Sequence, residues 1–143
     1  MRNTDFINII TAAAAHSRLS KTALFIQHGS TSCLLHCIAV SYYCYRLAER
    51  FKPLKSHEAE LVRGALLHDY FLYDWHIPDK SRPMHGRYHP GAALKNAEQD
   101  FDLSDRERDI IKKHMFPLTL TPPAFKESFL VCLVDKGCSV YEI

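Results

Sequence analysis

The prolines do most to limit what this chain can become, because they stand between segments that read at helical period. Proline fixes φ and lacks the N–H that a helix interior needs, so each one ends or starts an element. A first helix is expected from about Thr4 to Lys21, docking through Phe6, Ile9, Ile10 and Ala13. A second follows Ser30–Ser32 and stops near Phe51, ahead of Pro53. A third starts at Ser56 as N-cap, with Glu58 and Glu60 in its first turn, and runs on through the segment HDYFLYDW. Residues 76–88 hold Pro78, Pro83 and Gly86 and read as a loop. A fourth helix is expected to begin at Pro90 and to cover GAALKNAEQDF. Ser104 and Glu107 form a capping box for a fifth that reaches His114. After a turn from Pro117 to Pro123, a last helix covers about Ala124 to Tyr141. No segment alternates at period two, so no sheet is expected. The fold class is therefore all-α, a bundle of about six helices forming one domain over residues 1–143.

The apolar stripes of these helices carry polar groups. His36 shares a face with Val40, Tyr43, Leu47 and Phe51; His68 with Leu61, Ala65 and Leu72. Asp69 lies one step round, His114 sits beside Ile110 and Ile111, and Asp135 lies with Val131, Cys132 and Cys138. A buried carboxylate without a partner is costly. One inward histidine is ordinarily a satisfied core residue, but a His or Asp on each of four helices is met at once by a shared cation. Imidazoles with carboxylates suit Fe, Mn, Zn, Co or Ni. The two oxygens of Asp69 suit it to bridging two ions.

Composition narrows the partners. The chain has 143 residues and a net charge of +2, too small to argue for nucleic acid or a membrane. Nothing approaches the roughly 18 apolar residues of a membrane span. FINIITAAAA, behind Arg2, faintly resembles a signal peptide, but Asp5, Asn8 and Thr11 favour a docked surface helix. The five cysteines form no Cys-x-x-Cys and read as reduced, buried thiols of a cytoplasmic protein.

In order and context these residues resemble the HD domain of metal-dependent phosphohydrolases. HCIAVSYYCYRLA is similar to that family's first-histidine helix, GALLHDYF to its apolar run into His-Asp, and LVCLVDKGCSVYE to its closing segment. The likeness runs from about Gln27 to Ile143 and implies a first metal on His36, His68, Asp69 and Asp135. HGRYHPGAAL resembles the His-Pro segment of binuclear members. It makes His89 a ligand of a second metal together with His114, with His85 competing for the role. The family's Ile-Gly-Lys and Gly-Tyr-Pro signatures are missing; Tyr70-Phe71 follows His68-Asp69. The resemblance therefore points away from cyclic dinucleotides. The chain also ends soon after Asp135, so the last helix is expected to be short or clipped.

The resemblance implies hydrolysis of a small phosphorylated substrate, a nucleotide among the candidates, by metal-activated water. Asp69 would hold the nucleophile, and His85 or an arginine, Arg87 foremost, would assist the leaving group. Lys80, Arg82, Lys112 and Lys113 are the other basic residues near the motif, and Tyr70, Tyr73 and Trp75 are expected around the pocket. The same ligands also serve di-iron oxygenases of this type, and a metal-stabilised binding module without turnover is a third reading.

Overall fold

The computed structural model describes residues 3–15 and 17–142. Arg2, His16 and Ile143, which fall within the expectations above, lie outside the described residues. The chain is predominantly helical. α1 spans Asn3–Ala15, α2 Cys33–Arg50, α3 Lys52–Lys55, α4 Glu58–Leu67, α5 His85–Asp100, α6 Asp105–Lys113 and α7 Lys126–Glu142. The six longer ones answer to the six expected from periodicity. A 3-10 helix, Leu19–Leu24, and an antiparallel hairpin of β1 (Ile26–His28) and β2 (Thr31–Ser32) were not anticipated.

Two helix starts lie where expected, the second with the capping box as read. Ser32 caps α2 by accepting from the Leu35 N–H at 3.2 Å. At α6, Ser104 Oγ accepts from the Glu107 N–H at 3.2 Å while Glu107 Oε2 accepts from the Ser104 N–H at 2.8 Å. Other boundaries differ. α1 stops at Ala15, short of Lys21, and His57 rather than Ser56 precedes α4. α5 starts one turn earlier than expected and carries Pro90 inside it, because Met84, at φ +52°, takes the N–H groups of Arg87 and Tyr88 on its carbonyl. α7 has 17 residues and runs to the last described residue, Glu142.

The largest departure is at HDYFLYDW, where α4 ends at Leu67 instead of continuing. Tertiary bonds outweigh helical propensity here. The amide of Asn96 donates to the Tyr70 carbonyl at 3.0 Å, and the Tyr70 hydroxyl reaches Asp100 at 2.5 Å. Gln27 holds the Asp69 side chain. The Asn96 bond satisfies a backbone carbonyl that another helical turn would have used internally, and the other two fix the side chains of the turn.

α2, α4, α6 and α7 pack in a closed ring, with α5 against α6 and α1 across α4. Val40, Cys44, Ala48, Leu61, Ala65, Ile110 and Val131 fill the ring. Each fully buried Val, Leu or Ile side chain there contributes about 1.5–3 kcal/mol. α1 docks through the expected residues, with Phe6 stacked on Tyr45 at 5.3 Å between ring centroids. The α2 stripe is narrower than expected: Tyr43 and Phe51 are 55% and 52% exposed, and Cys33, Cys37, Cys44 and Ala48 take the buried face. All five cysteines are free thiols. Among the described residues no helix is long and apolar enough to cross a membrane.

Candidate metal centre

Four polar groups enter the core where α2, α4 and α7 meet. His36 projects from the first turn of α2, His68 caps the end of α4, Asp69 follows it, and Asp135 comes from the middle of α7. All four are buried. His36 Nε2 stands 2.9 Å from Asp135 Oδ1 and 3.6 Å from Asp69 Oδ2. His68 Nε2 stands 3.3 Å from each of the same two oxygens. A second group adjoins the first. His89 of α5 and His114, at the end of α6, place their Nε2 atoms 3.1 and 3.2 Å from Asp69 Oδ1. In each group, the donor atoms lie within 4.8 Å of one another. Asp69 belongs to both, with Oδ2 toward His36 and His68 and Oδ1 toward His89 and His114.

The tautomers follow from the backbone. Nδ1 of His68 lies 2.6 Å from the Ala65 carbonyl, that of His89 lies 2.8 Å from His85 O, and that of His114 lies 2.8 Å from Ile111 O. A carbonyl only accepts, so each Nδ1 carries hydrogen and each neutral ring turns a bare Nε2 lone pair inward. His89 Nε2 and His114 Nε2 are 2.8 Å apart. Two lone pairs at that distance repel unless a proton or a cation lies between them. Among the described residues, His68 Nε2 and Asp69 Oδ1 are buried with no hydrogen-bond partner. Orphaned acceptors converging in this way fit a cation, and these two buried groups can hold a metal ion.

Charge is polarised across the centre. Burial by itself would raise the Asp69 pKa, but His68, His114 and His89 hold it well below the usual carboxylate range. Burial opposes protonation of His68, yet Asp69 and Asp135 together lift it well above an ordinary imidazole, so that without a cation its Nε2 takes a proton instead. His36 is raised by Asp135 against the same burial penalty. His114 is lowered, first by burial.

A cavity of about 470 Å³ opens over Asp69, His89 and Asp135. Trp75, Met115 and Val140 give it apolar walls, and His28, His85 and Lys136 line it with polar groups. His85 stacks on His89 at 4.4 Å and on Trp75 at 4.8 Å, behind the second group rather than in it. Burial and the neighbouring His89 push it down to about 3, so it is a neutral imidazole near pH 7, better suited to accept a hydrogen bond than to release a proton.

Other expected residues lie elsewhere. Arg87 is exposed on α5 and does not line this cavity. Arg82 pairs with Asp79 at 2.8 Å and lies over the Tyr73 ring. Lys113 pairs with Asp109 at 2.7 Å. Tyr70 is buried toward Asp100, and Tyr73 reaches His85 Nδ1 at 3.1 Å.

Besides His28 in the cavity wall, three residues were missed. Gln27 donates to Asp69 Oδ2 at 2.7 Å, Glu142 accepts from His36 Nδ1 at 2.8 Å, and Lys136 brings its ammonium to the His114 carbonyl at 3.2 Å. Glu142 was findable, because it stands two helical turns beyond Asp135 on one face of α7. Nothing local marks Gln27. No known family model, curated protein or solved structure matches the chain.

Proposed function

We propose that this chain is a metal-dependent phosphohydrolase of HD type, acting on a small phosphorylated substrate. The observation that carries the reading is Asp69, whose two oxygens face two separate histidine groups, 3.3 Å from His68 on one side and 3.1 Å from His89 on the other. Support comes also from the chain order of the donors, which resembles that of HD domains. His36, His68, Asp69 and Asp135 would hold one divalent transition metal ion and His89 and His114, with Asp69, a second. Bound there, such ions supply charge neutralisation for a phosphoryl group and lower the pKa of water from 15.7 toward about 7.

The protein's own residues do the rest. His28, at the cavity, offers a ring donor for phosphate oxygens, and Lys136, held on the His114 and Cys132 carbonyls, adds positive charge to the wall. Trp75, Met115 and Val140 keep bulk water from the substrate's apolar part. His85, neutral and fixed between Trp75 and His89, orients the substrate by hydrogen bonding. Free thiols at all five cysteines support a reducing compartment such as the cytoplasm.

The test is a screen of phosphomonoesters, phosphodiesters and nucleotides with Mn, Fe, Co, Ni, Zn or Mg, in air and without oxygen. Phosphate release equal under both atmospheres, and lost in His68→Ala and Asp69→Ala, is expected. Turnover that requires iron and oxygen would replace hydrolysis with oxygenase chemistry. Full metal loading without turnover of any substrate would leave a binding module.

A further inference from the structure

Four inward histidines keep their rings fixed through Nδ1, and one of them does so differently. His68, His89 and His114 each use a backbone carbonyl three or four residues earlier. Their orientation is set by their own helices. His36 Nδ1 instead meets the carboxylate of Glu142, 2.8 Å from Oε2 and 3.1 Å from Oε1. A carboxylate only accepts, so Nδ1 carries hydrogen, and Nε2 on the other side of the ring faces Asp135 at 2.9 Å. We infer that Glu142 is a positioning residue, which orients His36 toward its cation and makes that site the tighter of the two.

The physical reason is charge. An imidazole that donates to a carboxylate is a more basic ligand than one that donates to an amide carbonyl, and such partners change metal affinity by about 10–100-fold. The His36 side chain is fully buried and that of Glu142 is 11% exposed, so water screens the pair little. α7 thereby supplies one donor, Asp135, and the brace for another.

The hairpin holds the brace in turn. Gly29 sits at φ +54°, and a Cβ there would lie 2.8 Å from the Glu142 carbonyl oxygen. The turn between β1 and β2 thus packs its backbone directly against the last turn of α7. No other residue type fits both that φ and that gap.

This inference rests on the proposed metal centre, and the experiment separates the two. Mn(II) is titrated into metal-free wild type, Glu142→Ala and Glu142→Gln, with free Mn(II) read by electron paramagnetic resonance. In Glu142→Ala the tighter site should weaken about 10–100-fold while the weaker one keeps its affinity. Glu142→Gln, which retains an acceptor oxygen without the charge, should fall between. Thermal unfolding in chelator establishes that both variants are folded. Wild-type affinity at both sites in Glu142→Ala, or equal weakening of both, would overturn the role of Glu142 and leave the metal centre standing. Wild type that binds no Mn(II) would overturn the proposed centre and this inference together.

Discussion

Asp69→Asn should abolish metal-linked stabilisation at both ion sites at once, because Asp69 alone among the donors belongs to both groups. The substitution keeps size and shape. It removes the charge and turns one acceptor oxygen into a donor nitrogen that repels a cation. A ligand that binds only the folded state stabilises it by RT ln(1 + [L]/Kd), about 2.7 kcal/mol at a hundredfold excess over Kd. For a domain of this size each kcal/mol moves Tm by about 4 °C. One occupied site is then worth about 10 °C, and two about 20 °C. Asp135→Asn touches only the group formed with His36, His68 and Asp69, so about half of the shift should survive. Each variant is compared with itself, in chelator and in Mn(II), by differential scanning calorimetry. The comparison cancels whatever the substitution does to the metal-free fold, which matters because an unpaired buried imidazolium costs several kcal/mol. A full metal-induced shift in Asp69→Asn, or equal losses in Asp69→Asn and Asp135→Asn, would refute the shared-carboxylate reasoning.

Two further outcomes follow from the packing around the centre. Gly64→Ala would ordinarily gain helix propensity of about 1 kcal/mol. Here its Cβ would lie 2.6 Å from Ile110 Cδ1 and 3.2 Å from Ile110 Cβ, so overpacking of about 1–3 kcal/mol should lower Tm, and Ile110→Val should restore part of it. A more stable Gly64→Ala would contradict the close α4–α6 contact. Asp100 and Asp109 have depressed pKa values: burial opposes this, but Arg18 and Tyr70 bind Asp100, while Lys113, Ser128 and the Ala124 N–H bind Asp109. Groups depressed on folding stabilise above their unfolded pKa of about 3.9 and lose that contribution as pH falls through the folded value. Asp100→Asn and Asp109→Asn should therefore each cost about 1.5–3 kcal/mol at pH 7, with the gap from wild type closing below about pH 4. Urea unfolding across that range, in chelator, measures it; a gap constant with pH would show that the carboxylate charges do not matter.

Helix periodicity and caps are local properties, which is why the six longer helices and the Ser104–Glu107 capping box were legible without a structure. His36 and Asp135 were legible for the same reason, since spacing on a helix states which face a side chain takes, and His68 and His114 stand at helix ends that keep that phase; Asp69 was expected inward on a helix that in fact ends at Leu67. His89 was reached through a resemblance, and its expected place beside a helix-starting proline differs from its place inside α5. Arg87, selected for its nearness in sequence to the histidines, points to solvent because residues two apart on a helix lie on different faces.

What the sequence by itself determined is the helical class and the presence of buried groups that need a common partner. Only the tertiary structure decided how they meet. The packing of α2, α4, α5 and α6 turns each Asp69 oxygen to its own pair of histidines. The turn that follows α4 is held by bonds to Asn96, Asp100 and Gln27, all remote in the chain. Glu142 reaches His36 across 106 positions, and Gln27 reaches Asp69 across 42. Periodicity speaks of neighbours within a few residues. Which distant carboxylate or amide completes a buried histidine depends on how helices dock, and that is set by the whole core.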